Sequence, residues 1–241
     1  PNNDHFENFV YVHVGDSVVR DIFSGTGFNH STVLKELNST LKPRSFNTKK
    51  TVTIRMATKH FPDGRGSNIV GMIKGSDPVL SGEAIIVGAH LDHLGRCYEI
   101  IPGANENASA VAVMMGVAKA LVQNKIPLKR TIIFLAFGSE EQALLGSKAY
   151  LENPVIPLAK SVLINMDGVG IGHSIRAAAG RDFPVLWSFF EEANNKYVHR
   201  SISASSFSNL GRPRLDAARF LSAGVPSLSF STYGSVNYYH V

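Results

Sequence analysis

The chain has 241 residues, 44% of them apolar and 18% charged, which is the length and composition of one globular domain with at most a small appendage. Its formal net charge of +5 comes from scattered lysines and arginines, so we expect no nucleic-acid partner. No apolar run reaches the ~20 residues of a membrane span and the first residues do not resemble a signal peptide, so we expect a soluble protein with no membrane partner.

The first part of the chain has the weakest pattern. Residues 1–48 have little hydrophobic periodicity and are rich in serine, threonine and asparagine, which predicts a boundary between this segment and a main domain at 49–241. Residues 51–58 alternate between apolar and polar side chains, and residues 68–73 follow after the turn sequence FPDGRG. These two stretches predict an antiparallel hairpin at the edge of a sheet.

Four short apolar runs predict the strands of a parallel sheet. They are rich in β-branched or aromatic residues without alternation, as expected of strands buried on both faces, and they lie at 84–89, 131–137, 161–166 and 226–230. Residues 107–123 and 140–151 lie between these runs and predict helices packed on the sheet. This order indicates an α/β fold with a mostly parallel central sheet, helices on both faces and antiparallel edge strands.

Potential metal ligands follow three of the four apolar runs. Ligands of open α/β sheets bind beyond the carboxyl ends of the strands, and the polar side chains at those points are His90, Asp92, Glu140, Glu141 and Asp167. Glu106 lies at the start of the first helix in PGANENASA, and His240 lies beyond the last run. Each residue by itself has a simpler explanation, as a loop residue, a turn former or an acidic first helical turn. Together they fall at one edge of the predicted sheet, and imidazole and carboxylate donors suit zinc or a similar divalent ion.

The sequence also resembles a known family. The segments GAHLDH, PGANENASA, FGSEEQALLGS, NMDGVG, LDAARF and YYH occur in an order similar to that of the co-catalytic zinc aminopeptidases of the bacterial leucyl aminopeptidase type, a group that also contains glutamate carboxypeptidase and the glutaminyl cyclases. The resemblance implies the zinc-peptidase, phosphorylase/hydrolase-like form of the α/β fold. Residues 1–48 would then be the remnant of a protease-associated insert.

A set of five ligands for two divalent ions, expected to be zinc, follows from the resemblance. His90 and Asp167 would hold one ion, and Glu141 and His240 would hold the other. Glu106 would bridge the two ions. This arrangement implies hydrolysis through a metal-bridging hydroxide.

The resemblance also implies roles for residues beside the ions. Glu140 would be the general base that takes a proton from the bridging water and passes it to the leaving amine. Asp92 would fix the tautomer of the His90 imidazole. Asp216 would shape the substrate end of the site, and His93 has no assigned role.

Two segments depart from the family pattern. The bridging position holds Glu106 where relatives have aspartate, which keeps the carboxylate but adds one methylene. Around Asp216, Leu215 and Ala217 stand where relatives have serine and histidine. The chain also ends at Val241, where relatives continue, so truncation of the C-terminal end is one interpretation.

The implied activity is that of a metal-dependent exopeptidase, most simply an aminopeptidase that removes N-terminal residues from peptide or aminoacyl substrates. One alternative is a catalytically silent relative that acts as a binding module, and another is a single-zinc acyltransferase of the glutaminyl cyclase kind. The full set of ligands favours the hydrolase over both. The resemblance implies a secreted or periplasmic location, and the sequence predicts neither the oligomeric state nor the preferred substrate residue.

Overall fold

The computed structural model of the chain describes residues 12–55, 57, 61, 63–96, 99–123, 127–178, 182–205 and 215–234. The chain divides into two units, Pro1–Gly64 and Arg65–Val241. Among the described residues, no helix has both the length and the apolar character needed to cross a membrane.

Two helices form the regular part of the first unit, namely α1 (Asp16–Phe23) and α2 (His30–Thr40). Asn29 caps α2, because its side-chain oxygen accepts a hydrogen bond from the main-chain N–H of Thr32 at 3.2 Å. Val33 is the buried hydrophobic residue of the described part of this unit. The described part of the unit therefore has a very small core.

A twisted sheet organises the second unit. Its strands, in chain order, are β1 (Ile69–Ile73), β2 (Ala84–His90), β5 (Thr131–Phe137), β6 (Ser161–Met166), β7 (Ser174–Ala178), β8 (Ser201–Ser205) and β9 (Ser227–Tyr233). Between β2 and β5 in the chain, β3 (Gly95–Arg96) and β4 (Ile100–Ile101) pair with each other in a separate short ladder. The strand order of the large sheet is β1-β5-β2-β6-β9-β7-β8.

The middle of the sheet is parallel and its edges contain antiparallel pairs. Strand β2 runs parallel to both β5 and β6, and β6 runs parallel to β9. Strand β1 pairs antiparallel with β5 at one edge, and β7 pairs antiparallel with β9 toward the other. The predicted α/β fold with a mostly parallel central sheet and antiparallel edge strands is confirmed.

The predicted edge hairpin is wrong in its first strand. Residues 51–55 and 57 form no strand and are exposed. Strand β1 pairs instead with β5, with Ile69 opposite Ala136. An alternating pattern specifies a strand only where one of its faces is buried, and the described residues of 51–58 bury neither face.

Helices cover both faces of the sheet. They are α3 (Ser109–Gln123), α4 (Leu145–Glu152), α5 (Pro184–Ala193) and α6 (Asp216–Ser222). On one face, Met114 of α3 packs in a cluster with Phe134 of β5. On the other face, Tyr150 of α4 stacks on Phe220 of α6, with their ring centroids 5.8 Å apart. All residues of β5 are buried, since side chains on each of its faces meet a helix layer.

Helix α4 begins later than residues 140–151 predict. Ser139, Ala143 and Leu144 have positive φ angles of 57°, 68° and 61°, so the chain forms a turn before the helix starts at Leu145. Gly146 then lies against the end of β5, where a Cβ would overlap the carbonyl oxygen of Gly138. Glycine at this position is what lets α4 approach the strand.

We expect Gly146→Ala to lower the free energy of unfolding by about 2 kcal/mol, because the new methyl group forces α4 away from the end of β5. Denaturant unfolding measures this change. The matched control is Gly116→Ala in α3, where an added Cβ meets nothing within 4 Å, and where we expect a gain of about 0.5–1 kcal/mol from helix propensity. Equal denaturation midpoints for Gly146→Ala and the unaltered chain would contradict the packing of α4 against β5.

Candidate metal centre

The predicted ligands of the described chain meet at the carboxyl ends of the central strands. His90 is the last residue of β2, and Asp167 directly follows β6. Glu140 and Glu141 lie in the turn between β5 and α4, and Glu106 lies in the turn that leads into α3. Parallel strands end at one edge of the sheet, which is where open α/β sheets bind ligands.

Three of these side chains form a tight group. The Nε2 atom of His90 lies 2.9 Å from Oε1 of Glu106 and 3.6 Å from Oδ1 of Asp167. One possible ligand atom from each of the three residues lies within 4.8 Å of the other two. Two atoms that bind a zinc ion tetrahedrally at about 2 Å lie roughly 3.3 Å apart. The three side chains therefore have the donor chemistry and the spacing to hold one divalent ion.

Because this group is buried, the negative charges of its carboxylates need a positive charge to compensate them. His90 is 2% exposed and Glu106 is 7% exposed. Burial by itself lowers the pKa of His90, but hydrogen bonds to Asp167 and Glu106 outweigh it and hold that pKa well above its usual range. Burial also raises the pKa of Glu106, although the hydrogen bond to His90 opposes the change. A divalent cation would supply the charge that a shared proton otherwise provides.

The imidazole of His90 is oriented by the main chain. Its Nδ1 lies 2.9 Å from the carbonyl oxygen of Asp92, which can only accept, so Nδ1 carries a proton and Nε2 faces the two carboxylates. The carboxylate of Asp92, which the sequence assigned to this task, lies 3.9 Å from Nδ1. The main-chain oxygen is therefore the nearer of the two groups that can set the tautomer.

The carboxylate of Asp92 instead contacts the turn that carries the two glutamates. Its Oδ1 accepts a hydrogen bond from the N–H of Glu140 at 2.9 Å, and its Oδ2 accepts one from the N–H of Glu141 at 3.1 Å. A single side chain thus ties the loop after β2 to the loop after β5. The main-chain oxygen of Asp92 contacts His90, and its carboxylate contacts Glu140 and Glu141. Asp92 thus positions residues of both loops.

Glu141 lies next to a histidine that the sequence left without a role. Its Oε1 is 2.9 Å from Nδ1 of His93, and both side chains are about one-tenth exposed. The partner that the sequence assigned to Glu141, His240, lies outside the described residues. Sequence reasoning offered no signal for the contact with His93, since it depends on how two loops approach each other.

The turn around Glu106 is fastened to the loop after β6 by polar side chains. Asn107 donates from Nδ2 to the carbonyl oxygen of Met166 at 3.1 Å and accepts at Oδ1 from the N–H of Gly168 at 2.9 Å. Two further contacts join the same loops, from the N–H of Gly170 to Asn105 and from the N–H of Val169 to Ser109. The side chains of Asn107 and Ser109 thus hold the segment that contains Asp167.

Asp216 is buried, and its charge affects the candidate site. It begins α6 and is 1% exposed. Burial raises its pKa to about 7, and a hydrogen bond from Ser147 opposes that rise. Its charge acts on Glu140, whose pKa is raised by burial, and further by Asp216, to about 8. The side chain therefore lies within electrostatic reach of the glutamate turn.

Comparison with known proteins gives consistent matches. The profile of peptidase family M28 matches residues 68–241. Aminopeptidase YwaD of Bacillus subtilis (strain 168) is 34% identical over 123 residues, which cover 50% of this chain and 25% of that protein. Endoplasmic reticulum metallopeptidase 1 of Rattus norvegicus is 29% identical over 90 residues, which cover 37% of this chain and 10% of that protein. The matches thus span a quarter or less of these relatives.

Solved structures share the fold. The zinc aminopeptidase BSAP from Bacillus subtilis aligns with a TM-score of 0.58 and 28% identity over 72% of this chain and 43% of its own. LapB from Legionella pneumophila aligns with a TM-score of 0.59 and 23% identity over 72% of this chain and 47% of its own. The second match extends the likeness in fold to a more distant sequence.

We expect Asn107→Ala to destabilise the protein by about 2–4 kcal/mol, because it leaves the buried Met166 carbonyl and Gly168 N–H without their partner. Hydrogen exchange of the Gly168 amide should accelerate together with the loss measured by denaturant unfolding. Asn105→Ala is the matched control, since its bond to Gly170 is exposed and its removal should cost less. Equal costs for the two variants would mean that Asn107 does not fasten the loop.

Proposed function

Because the chain belongs to peptidase family M28, we propose that it is a metal-dependent exopeptidase, and specifically an aminopeptidase that removes N-terminal residues from peptides. The observation that carries this proposal is the buried group of His90, Glu106 and Asp167, with Glu140 at the same edge of the sheet. A buried cluster of one imidazole and two carboxylates is costly without a cation. The alternative of a catalytically silent binding module gives no reason to retain it.

We assign the ligands of two zinc ions as follows. His90 and Asp167 would hold the first ion, Glu106 would lie between the two ions, and Glu141 with His240 would hold the second. The position of Glu141 supports this assignment, because it lies in the turn after β5, at the same edge of the sheet as His90 and Asp167. When bound, two divalent ions polarise a substrate carbonyl and make water a nucleophile at neutral pH.

Glu140 is the general base in this proposal. Its pKa is raised above the usual value for a glutamate, which makes its carboxylate a better acceptor for a proton of the attacking water, and the acid so formed then donates that proton to the leaving amine. Burial is the main cause of that shift, and the neighbouring charge of Asp216 adds to it. The carboxylate of Asp92 accepts a hydrogen bond from the main-chain N–H of Glu140, so the base stays at a fixed position beside the proposed ligands.

The proposed substrate class rests on relatives. BSAP, which is 28% identical, is a zinc aminopeptidase, and YwaD, which is 34% identical over the matched residues, is an aminopeptidase. We extend that activity to peptides and aminoacyl compounds with a free amino terminus. The relatives also include vacuolar membrane proteases and endoplasmic reticulum metallopeptidases, which supports a location outside the cytoplasm.

Metal titration tests the proposal. We expect the chelator-treated chain to bind two zinc ions and to hydrolyse aminoacyl p-nitroanilides only after zinc is restored, with no cleavage of N-acetylated substrates. His90→Ala should lose the first ion, whereas His173→Ala, at an exposed histidine, should bind both. Binding of a single ion would favour the cyclase-like alternative, and binding of none would favour the silent module.

A second test separates the base from the ligands. We expect Glu140→Gln to reduce kcat by about 10²–10⁴-fold, because the neutral amide cannot accept the proton. Zinc content should stay near that of the unaltered protein. Glu83→Gln, at an exposed glutamate paired with Arg130, is the control and should keep full activity. Loss of zinc from Glu140→Gln would mean that Glu140 is a ligand and that its role and that of Glu141 are reversed.

A further inference from the structure

Gly168 is a buried glycine immediately after the ligand Asp167, and its φ angle is +64°. A Cβ at this position would lie 3.1 Å from Oε2 of Glu106 and 3.6 Å from Nδ2 of Asn105. The first distance is shorter than ordinary van der Waals contact, so any side chain at 168 would push the Glu106 carboxylate aside by a few tenths of an ångström. The space beside Gly168 is therefore part of the site.

The main chain of Gly168 is held in place from both sides. Its N–H donates to Oδ1 of Asn107 at 2.9 Å, and its carbonyl oxygen accepts from the N–H of Thr232 in β9 at 3.0 Å. Because both of its polar groups are bonded, the peptide cannot move away from an added methyl group without losing a buried hydrogen bond. The carboxylate of Glu106 is then the group that has to move.

We propose that Gly168 is a positioning residue for Glu106. Because glycine has no side chain, it leaves room for the Glu106 carboxylate. Glutamate extends about 1.5 Å further than aspartate, and its Oε2 lies where a Cβ of residue 168 would come within 3.1 Å of it. The inference rests on the proposed function, in which Glu106 bridges the metal ions. Glycine at 168 thus permits a glutamate at the bridging position.

A displacement of a few tenths of an ångström is large for a metal ligand. Metal–ligand distances in proteins keep to within about 0.2 Å of their preferred values. A side chain at 168 therefore weakens metal binding through Glu106 without touching the ion. Shortening Glu106 to aspartate withdraws the carboxylate from this contact, so the two positions should not act independently.

The positive φ angle offers a competing reason for glycine at 168. Alanine in a left-handed conformation is strained wherever it occurs. Gly224, with a φ angle of +80° and nothing within 4 Å of an added Cβ, isolates that cost. Gly168→Asn keeps the Cβ but tolerates the left-handed conformation better than alanine does, so it repeats the test with less backbone strain.

The experiment is a double-mutant cycle of Gly168→Ala and Glu106→Asp, with Gly224→Ala as control and Gly168→Asn as a second route. Zinc affinity is measured by competition with a chromophoric chelator, and the melting temperature is measured in excess chelator. We expect Gly168→Ala to weaken zinc binding by about 10-fold or more in the chain with Glu106, and by less than about 2-fold when Glu106→Asp is present. Gly224→Ala should not change zinc affinity.

The metal-free melting temperatures provide an independent result. Gly168→Ala should lower the melting temperature by about 2–4 °C more in the chain with Glu106 than in Glu106→Asp. Equal effects in the two backgrounds, in both measurements and for both substitutions at 168, would overturn the inference while the proposed function stood. If the unaltered chain bound no zinc, the proposed function would fail, and the metal-free comparison would still decide whether Gly168 makes room for Glu106.

Discussion

The two hydrogen bonds of the buried Asn107 side chain are the constraint on which the candidate metal centre depends. They join the turn before α3 to the residues on either side of Asp167, and Glu106 directly precedes Asn107 in that turn. Together with the contacts of Asn105 and Ser109, they help to set the distance between two candidate ligands, Glu106 and Asp167. Each such bond adds only about 1 kcal/mol net to stability, but leaving its buried partner unpaired costs about 1–3 kcal/mol. Forming these two hydrogen bonds therefore adds little to stability, whereas breaking them lowers stability by more. This difference suits a candidate site that has to hold its ligands within tenths of an ångström.

Negative charge is the second organising feature. Glu106, Glu140 and Asp167 all interact with the buried imidazole of His90, and the buried Asp216 acts on Glu140. Burial raises the pKa values of Glu106, Glu140 and Asp216 because their charged forms lose solvation and repel one another. Such a cluster is stable when a cation or a proton compensates it. The same negative charge that would destabilise an empty site favours the binding of a divalent ion, as the proposed function requires.

Much of the central architecture could be predicted from local sequence. Strands β5 and β6 occupy the residues predicted for them, and the ligand candidates follow those strands as expected. Other features could not be predicted, because they arise where separate loops meet. The edge strand β1 pairs with β5 and not with residues 51–55, and the start of α4 is delayed by three residues with positive φ angles. Asp92 was expected to serve His90 with its carboxylate, yet that carboxylate bonds the main chain of the glutamate turn.

The sequence by itself determined the fold class, the order of the central strands and helices along the chain, and the identity of the candidate ligands. It did so because buried parallel strands require continuous apolar runs and because metal sites require a small set of side-chain types. Only the tertiary structure decided that Asn107 fastens the Asp167 loop, that His93 faces Glu141, and that Gly168 leaves room for the longer Glu106 side chain. These contacts join residues far apart in sequence, and nothing in the local pattern of either partner specifies the distance between them.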